Sequence, residues 1–238
     1  PNMMQNKAAI TRAEFSKTDD RIRDIFHNHG FEELPHATRN VFTQFYLELM
    51  EEQKHHNSTR LRTLREVVIK HFIDSLIVLQ KVKLEFPLLD VGTGPGFPGI
   101  PLKIMLPNDQ IILAEGVQKR VEFLKRMRET LKLQKLDIIG RQVNEDFHYP
   151  VQAVITRAFA DTSDTLEQVI NCVKTGGKVF LMKGPNVDQE LKAAKLKWGE
   201  HFRLVQDIPY VLPKTPHERR LIVYQKIKNR ALKAPSLK

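Results

Sequence analysis

The chain has 238 residues, enough for a substantial core in one or two domains. Apolar residues make up 41% and charged residues 28%, the balance of an ordinary globular protein, and no apolar run nears the roughly 20 residues that span a bilayer. The net charge of +10 favours a polyanionic partner such as RNA, DNA or a ribosomal surface, and weighs against an enzyme acting only on small metabolites.

The single cysteine, Cys172, excludes an intramolecular disulfide and fits a reducing cytoplasm. Its neighbours Val169, Ile170 and Val173 mark a buried, inert thiol, read here as part of a helix. The N-terminal stretch, with Glu14, Asp19 and Asp20, is too polar for a secretory signal, so a cytoplasmic location is expected.

In chain order, residues 1–80 read as a helical N-terminal extension, with helices near 11–28, 36–55 and 64–80. Val41, Phe42, Phe45, Leu49 and Met50 fall on one helical stripe; Val68, Phe72, Leu76 and Leu79 form another. Residues 81–228 alternate between strand and helix, with strands near 88–91, 111–115, 136–140, 152–156, 177–183, 203–209 and 219–227. A helix near 98–106 joins the first pair of strands, and Val121, Leu124, Met127 and Leu131 mark one between the second pair. Such alternation predicts an α/β fold with a seven-stranded, mostly parallel, Rossmann-like sheet. The short proline-containing link between the last two strands predicts a hairpin and an antiparallel strand at the sheet edge. Residues 229–238 read as a basic disordered tail.

The stretch LLDVGTGPGFPGIPL, residues 88–102, carries the chemistry. An apolar run ends in Asp90, and Gly92, Gly94, Gly96 and Gly99 follow, interleaved with prolines. It predicts a strand turning into a helix through a loop whose backbone lies open to a ligand. Gly94, Gly96 and Gly99 match the dinucleotide spacing, a weak signal alone. S-adenosylmethionine fits better. It asks for an acid before the glycines, met by Asp90, and an acid ending the second strand for the ribose, met by Glu115. NAD would want Glu115 too, but the seven-strand pattern with a terminal hairpin favours a methyltransferase sheet.

GTGPGFPGIPL (92–102), KRVEFL (119–124), the Arg141 turn, ITRAF (155–159), LMKG (181–184) and HERRLIV (217–223) together resemble the ribosomal RNA small-subunit methyltransferase G family, also called glucose-inhibited division protein B. Asn57, Ser58 and Thr59, followed by His71, Asp74, Ser75 and Leu76, fit its N-terminal part, so the resemblance covers residues 40–227. It implies a class I S-adenosylmethionine-dependent methyltransferase that methylates N7 of a guanine in a 16S rRNA loop near the decoding centre, with S-adenosylhomocysteine as product. It further implies cofactor contacts at Gly92, Phe97 and Arg157, and adenine contacts at Gln142 and Val143. The chain departs from the family pattern at three places. Val143 stands where an acid is usual, with Glu145 and Asp146 nearest; Glu115 replaces the commoner Asp; Ser58 replaces Leu.

Guanine N7 carries a free lone pair, so methyl transfer needs no general base and rests on proximity and alignment. No catalytic side chain is assigned. No Asn/Asp-Pro-Pro-aromatic element follows the fourth strand, which argues against an exocyclic amine as acceptor; Cys172 is not placed for attack on a pyrimidine. Lys119, Arg120, Lys183, Arg219 and Arg220 are the expected RNA contacts. His71 reads as a packing residue beside Asp74 and also as a candidate for framing the RNA cleft. The remaining histidines lack partners at ligand spacing, so no metal is expected. The partner is 16S rRNA or the small ribosomal subunit, with no membrane role, and the chain is expected to be a monomer. Rival readings are a small-molecule methyltransferase, a non-catalytic RNA-binding assembly factor on the same fold, and an NAD-dependent oxidoreductase.

Overall fold

The computed structural model describes residues 10–32, 34–55, 63–157 and 160–231. Asn57, Ser58, Thr59, Ala158, Phe159 and residues 232–238 of the predicted tail lie outside these. The chain divides into two compact units, Pro1–Ile73 and Asp74–Lys238, where the sequence reading places the boundary at 80/81.

In the first unit, α1 (Arg12–Asn28) starts at a capping box: Glu14 N donates to Thr11 Oγ1 at 3.1 Å and Thr11 N to Glu14 Oε2 at 3.2 Å. α2 spans His36–His55. Asp19 is buried on α1, and its carboxylate is matched by Arg39 Nε at 2.9 Å and by the Thr43 hydroxyl at 2.7 Å, both from α2. Around this polar bond lies an aromatic core. The Phe42 ring sits 5.2 Å from Phe26 and 5.3 Å from Phe72, and Phe45 stacks on Phe72 at 5.5 Å.

The helix expected over 64–80 is not regular. α3 (Leu64–Val67) passes into a π-helical turn, Val68–Ile73, followed by α4 (Asp74–Leu76) and α5 (Val78–Lys81). The β-branched run Val67, Val68 and Ile69 disfavours regular helix, and a widened turn is a common outcome where such a run is buried.

The second unit is a seven-stranded sheet: β1 (Leu88–Val91), β2 (Ile111–Ala114), β3 (Leu136–Ile139), β4 (Val151–Thr156), β5 (Val173–Lys183), β6 (Phe202–Val211) and β7 (Glu218–Lys226). Its order is β3-β2-β1-β4-β5-β7-β6, with the first five strands parallel. The antiparallel strand is β7, inserted between β5 and β6, so it lies one place in from the edge where it was expected. Its core position follows from its apolar Leu221, Ile222 and Val223, all fully buried, whereas β6 is mostly exposed. The helices are α6 (Gly99–Met105), α7 (Gln118–Thr130), α8 (Thr162–Val169) and α9 (Asp188–Trp198). β5 begins at Val173, before the expected 177, and its pairing with β4 shifts register between Val151 and Ala153.

Leu89, Val154, Leu166, Val179, Trp198 and Ile222 belong to one apolar cluster, so the strands share a core with α8 and α9. Trp198 Nε1 donates to the Ser163 carbonyl at 3.1 Å, joining the two helices. Cys172 lies in the turn before β5 rather than in a helix; its thiol donates to the Val169 carbonyl at 3.4 Å, and burial pushes its pKa up to about 12. Among the described residues no helix is long and apolar enough to cross a membrane.

The fully buried Phe42 packs between the Phe26 and Phe72 rings in the first unit. Phe42→Ala should lower stability by about 3–5 kcal/mol, read from denaturant unfolding followed by circular dichroism.

Candidate functional site

The strand order reverses between β1 and β4, and β1 is flanked by β2 and β4: Asp90 is in register with Leu113 on β2 and Ile155 on β4. In open α/β sheets ligands bind at such a reversal, at the carboxyl ends of the strands. The Thr156 hydroxyl donates to the Val91 carbonyl at 3.0 Å and pins the end of β4 to the end of β1.

Alternation along β1 puts Leu89 in the apolar cluster and turns Asp90 to the opposite face, where it is fully buried. Its Oδ2 accepts from the Thr93 hydroxyl at 2.6 Å and from Gly99 N, the first residue of α6, at 2.8 Å. One carboxylate oxygen therefore ties together strand, loop and helix start. The other oxygen, Oδ1, is buried without a hydrogen-bond partner. Burial pushes the Asp90 carboxyl up to about 8, against the hydrogen bonds from Thr93 and Gly99.

The loop takes left-handed backbone at Gly92 (φ 64°), Gly94 (φ 62°) and Gly96 (φ 112°). At Gly96 a Cβ would also run into Ile100, lying 2.7 Å from its Cγ1, so both φ and close packing demand glycine there. Nothing lies within 4 Å of where a Cβ would stand on Gly92 or Gly94, which leaves that side of the loop open. Glu115, directly after β2, has a buried carboxylate that accepts from Gly94 N at 2.9 Å and Val117 N at 2.8 Å. Arg120 Nη1 stands 3.9 Å from the same carboxylate.

On the β4 side, the Arg157 guanidinium lies over the buried Phe97 ring, 5.2 Å from its centroid. The same side chain is ion-paired with Asp74 at 3.8 Å. Asp90, Gly92, Gly94, Gly96, Phe97, Glu115 and Arg157 thus converge on one carboxyl-end crevice. Val143 is buried in the apolar cluster, so its side chain is taken up by packing. Gln142 is exposed and packs beside Gly116, its Cβ 3.5 Å from where a Gly116 Cβ would be. Glu145 is taken up by an ion pair with Arg230 at 2.8 Å.

The expected RNA contacts separate into two groups. Lys119 and Arg120 are exposed at the start of α7. Lys183 and Arg220, the second group, are held in ion pairs. The Lys183 ammonium is 8% exposed and bonded to the Ala160 carbonyl at 2.6 Å and to Glu190 at 2.9 Å. Burial raises Glu190, but hydrogen bonds from Thr162 and Lys183 bring its pKa below the usual range. Arg220 bridges Asp207 at 2.6 Å and Asp188 at 2.9 Å. Both cations are already committed within the fold. Arg219 contacts Asp74 at 3.4 Å, and His71 lies half-buried in the π-helical turn. Among the described residues no group of three or more His, Cys, Asp or Glu is placed to hold a metal ion.

The family model for rRNA small subunit methyltransferase G matches residues 38–221. The chain belongs to this family. Its members are S-adenosylmethionine-dependent methyltransferases. The ribosomal RNA small subunit methyltransferase G 2 of Bdellovibrio bacteriovorus is 54% identical over 230 residues, covering 97% of this chain and 90% of that one. The protein of the same name from Syntrophobacter fumaroxidans is 40% identical over 208 residues, 87% of this chain and 42% of its own length. Among solved structures, the glycopeptide N-methyltransferase MtfA complexed with S-adenosyl-L-methionine superposes with a TM-score of 0.55 at 10% identity, covering 66% of this chain and 88% of that one. This likeness shows the fold, that of class I S-adenosylmethionine-dependent methyltransferases.

Family motifs account for most of the crevice, but two residues were missed as parts of it. Asp74 stands in the sequence motif only as the neighbour of His71; the structure brings it to Arg157 and Arg219. Tyr210 carried no signal, since only the β6–β7 register places it opposite Arg219.

Raising a buried carboxyl favours its neutral form in the native state. Asp90 therefore stabilises the fold fully below the ordinary carboxylate range and loses that contribution as pH rises toward about 8. The melting temperature of the unliganded chain should fall by several degrees between pH 5 and pH 8 relative to Asp90→Asn, which does not titrate. Parallel pH profiles for the two chains would contradict this.

Proposed function

We propose that this chain transfers the methyl group of S-adenosylmethionine to N7 of a guanine in 16S rRNA, in a conserved loop near the decoding centre, leaving S-adenosylhomocysteine. The observation that carries the reading is the cradle of Asp90, glycine loop and Glu115 in a chain of the rRNA small subunit methyltransferase G family. The residues suit this cofactor. Asp90 Oδ1, buried without a partner, is an acceptor for an ammonium, directly or through one water. Glu115 directly follows β2, where ribose hydroxyls would exchange with the amides it now holds. Gly92 and Gly94 leave room for the methionine portion, Phe97 and Arg157 wall it, and the backbone at Gln142 and Val143 borders the adenine.

S-adenosylmethionine supplies an activated methyl group. The acceptor lone pair forms the new N–C bond as the S–C bond breaks, and the positive charge passes from sulfur to the purine. No proton leaves N7, so the chain needs no general base and acts by holding the two partners in line. Arg157 is kept from opposing the new cation by its contact with Asp74. Lys119 and Arg120, with the exposed Lys125 and Arg126 further along α7, form the surface toward RNA phosphates. The site of action is the cytoplasm, on 16S rRNA or the small subunit, with the protein as a monomer.

The decisive test is transfer of labelled methyl to small subunits from a strain lacking this gene, with the modified base mapped. Label on one guanine N7 is expected. Cofactor binding without label on RNA would move the reading to a small-molecule substrate, and no cofactor binding would leave an RNA-binding assembly factor.

Lys119→Glu with Arg120→Glu should weaken RNA binding at least tenfold at moderate salt and lower the slope of log K against log salt by about 1–2. Filter binding across a salt series measures both, and an unchanged slope would move the RNA surface elsewhere.

A further inference from the structure

In the second unit the Tyr210 hydroxyl is buried without a hydrogen-bond partner among the described residues, and Asp74 Oδ1 is buried with Arg219 Nε at the long separation of 3.4 Å. Asp74 is 4% exposed and Tyr210 9%. The Asp74 charge acts on the Tyr210 phenol and, after burial, is the next cause raising its pKa. Asp74 is itself set between two guanidinium groups, Arg157 Nη1 at 3.8 Å from Oδ2 and Arg219 Nε at 3.4 Å from Oδ1. Both separations are longer than a good charge-assisted hydrogen bond, and the Arg219 pair is the one a ligand can replace while Arg157 stays beside Asp74.

Beside them opens a cavity of about 290 Å³ at the β6–β7 hairpin, lined by Pro185, Pro209, Tyr210, Val211, Glu218 and Arg219 among others. Arg219 lines this cavity and also touches Asp74, so it stands between the opening and the buried carboxylate. On the other side of Asp74, Arg157 leads to Phe97 and the glycine loop. The cluster therefore joins a solvent-open cavity to the crevice that holds Asp90.

We propose that Asp74 and the Tyr210 hydroxyl, reached from the hairpin cavity past Arg219, seat the acceptor guanine by its Watson–Crick edge, an inference that rests on the guanine-methylating reading above. A carboxylate only accepts, and a phenol can donate. Guanine alone among the four bases presents two adjacent donors, N1–H and N2–H2, next to an acceptor, O6. Asp74 takes the two donors and Tyr210 donates to O6. Adenine and cytosine would each turn a ring-nitrogen lone pair toward the carboxylate, and uracil offers one donor between two acceptors. N7 lies on the other edge of the purine and remains open to the methyl donor. Reading an unstacked base by its Watson–Crick edge is a common solution where chemistry is done on that base. As the base enters, Arg219 turns out toward the RNA phosphates, and the Asp74 anion remains beside a ring that becomes cationic.

The test uses the full chain and two substrates: small subunits carrying guanosine at the acceptor position, and subunits reconstituted with inosine there, which lacks N2–H2. Asp74→Asn should bind S-adenosylmethionine within about twofold of the unmodified chain yet lose about 10–100-fold in kcat/KM on guanosine subunits, the range of one good bidentate base contact. The unmodified chain should show a penalty of about tenfold on inosine, and Asp74→Asn none, because the missing contact is already gone. Tyr210→Phe guards against a folding artefact: its hydroxyl bonds to nothing in the free protein, so its removal should leave the melting temperature in place and still lower kcat/KM about 3–10-fold. An inosine penalty that persists in Asp74→Asn, or full activity in Tyr210→Phe and Asp74→Asn, overturns the assignment. Absence of guanine N7 transfer by the unmodified chain removes the underlying reading and this inference with it, an outcome distinct from loss in the variants alone.

Discussion

The buried Asp90 carboxylate is the constraint on which the crevice depends. Through one oxygen it fixes the Thr93 hydroxyl and the first amide of α6, so the loop between them has little freedom in where it runs. Burying such a group is costly, and the protein offsets the cost with two hydrogen bonds and a raised pKa. The glycines follow from this: Gly99 must bring its backbone against Asp90, and a Cβ there would sit 2.8 Å from Oδ2. Glu115 then grips the loop from its outer side through Gly94. Two buried carboxylates, at the carboxyl ends of two adjacent parallel strands, set the backbone path that a cofactor would read.

The second organising feature is the insertion of β7. Because it runs against its neighbours, its first residues lie at the carboxyl ends of the other strands, as the pairing of Lys183 with Arg220 shows. Arg219 and Arg220 are thereby brought beside β5 from far along the chain. Arg220 is used to clamp Asp207 and Asp188, while Arg219 is directed to Asp74. Adjacent arginines on a strand point to opposite faces, which is why two neighbours in sequence have separate tasks.

Local chemistry was legible in the sequence. The loop of residues 92–99 announces itself because glycine and proline spacing restricts backbone within a few residues, and α2 because its apolar stripe has a clear 3.6 period. What failed was decided by longer-range competition. The buried β-branched run at Val67–Ile69 gave a π-helical turn where periodicity suggested ordinary helix. β5 starts at Val173, ahead of the expected 177, and passes Gly176 and Gly177 at the register shift of its pairing with β4, a long-range feature that local patterning does not carry. The expected crevice residues sit on local motifs; the contact of Asp74 with Arg219 carried no such signal, since it depends on where β7 lies in the sheet. Lys183 and Arg220 looked like phosphate contacts because composition reveals a cation but not the carboxylates that surround it.

The direction of β7 has one more consequence. Having started at the crevice side, it ends at the other edge, where Lys226 is in register with Phe202 and Ile227 N donates to the His201 carbonyl at 2.8 Å. Arg230 secures that departure, paired with Glu145 and laid over the Trp198 ring at 5.4 Å. The sheet itself therefore stands between this exit and Asp90. A dye or surface tether attached at the exposed Lys228 would sit on the far side of the domain, leaving the crevice facing solution for work with particles as large as a ribosomal subunit.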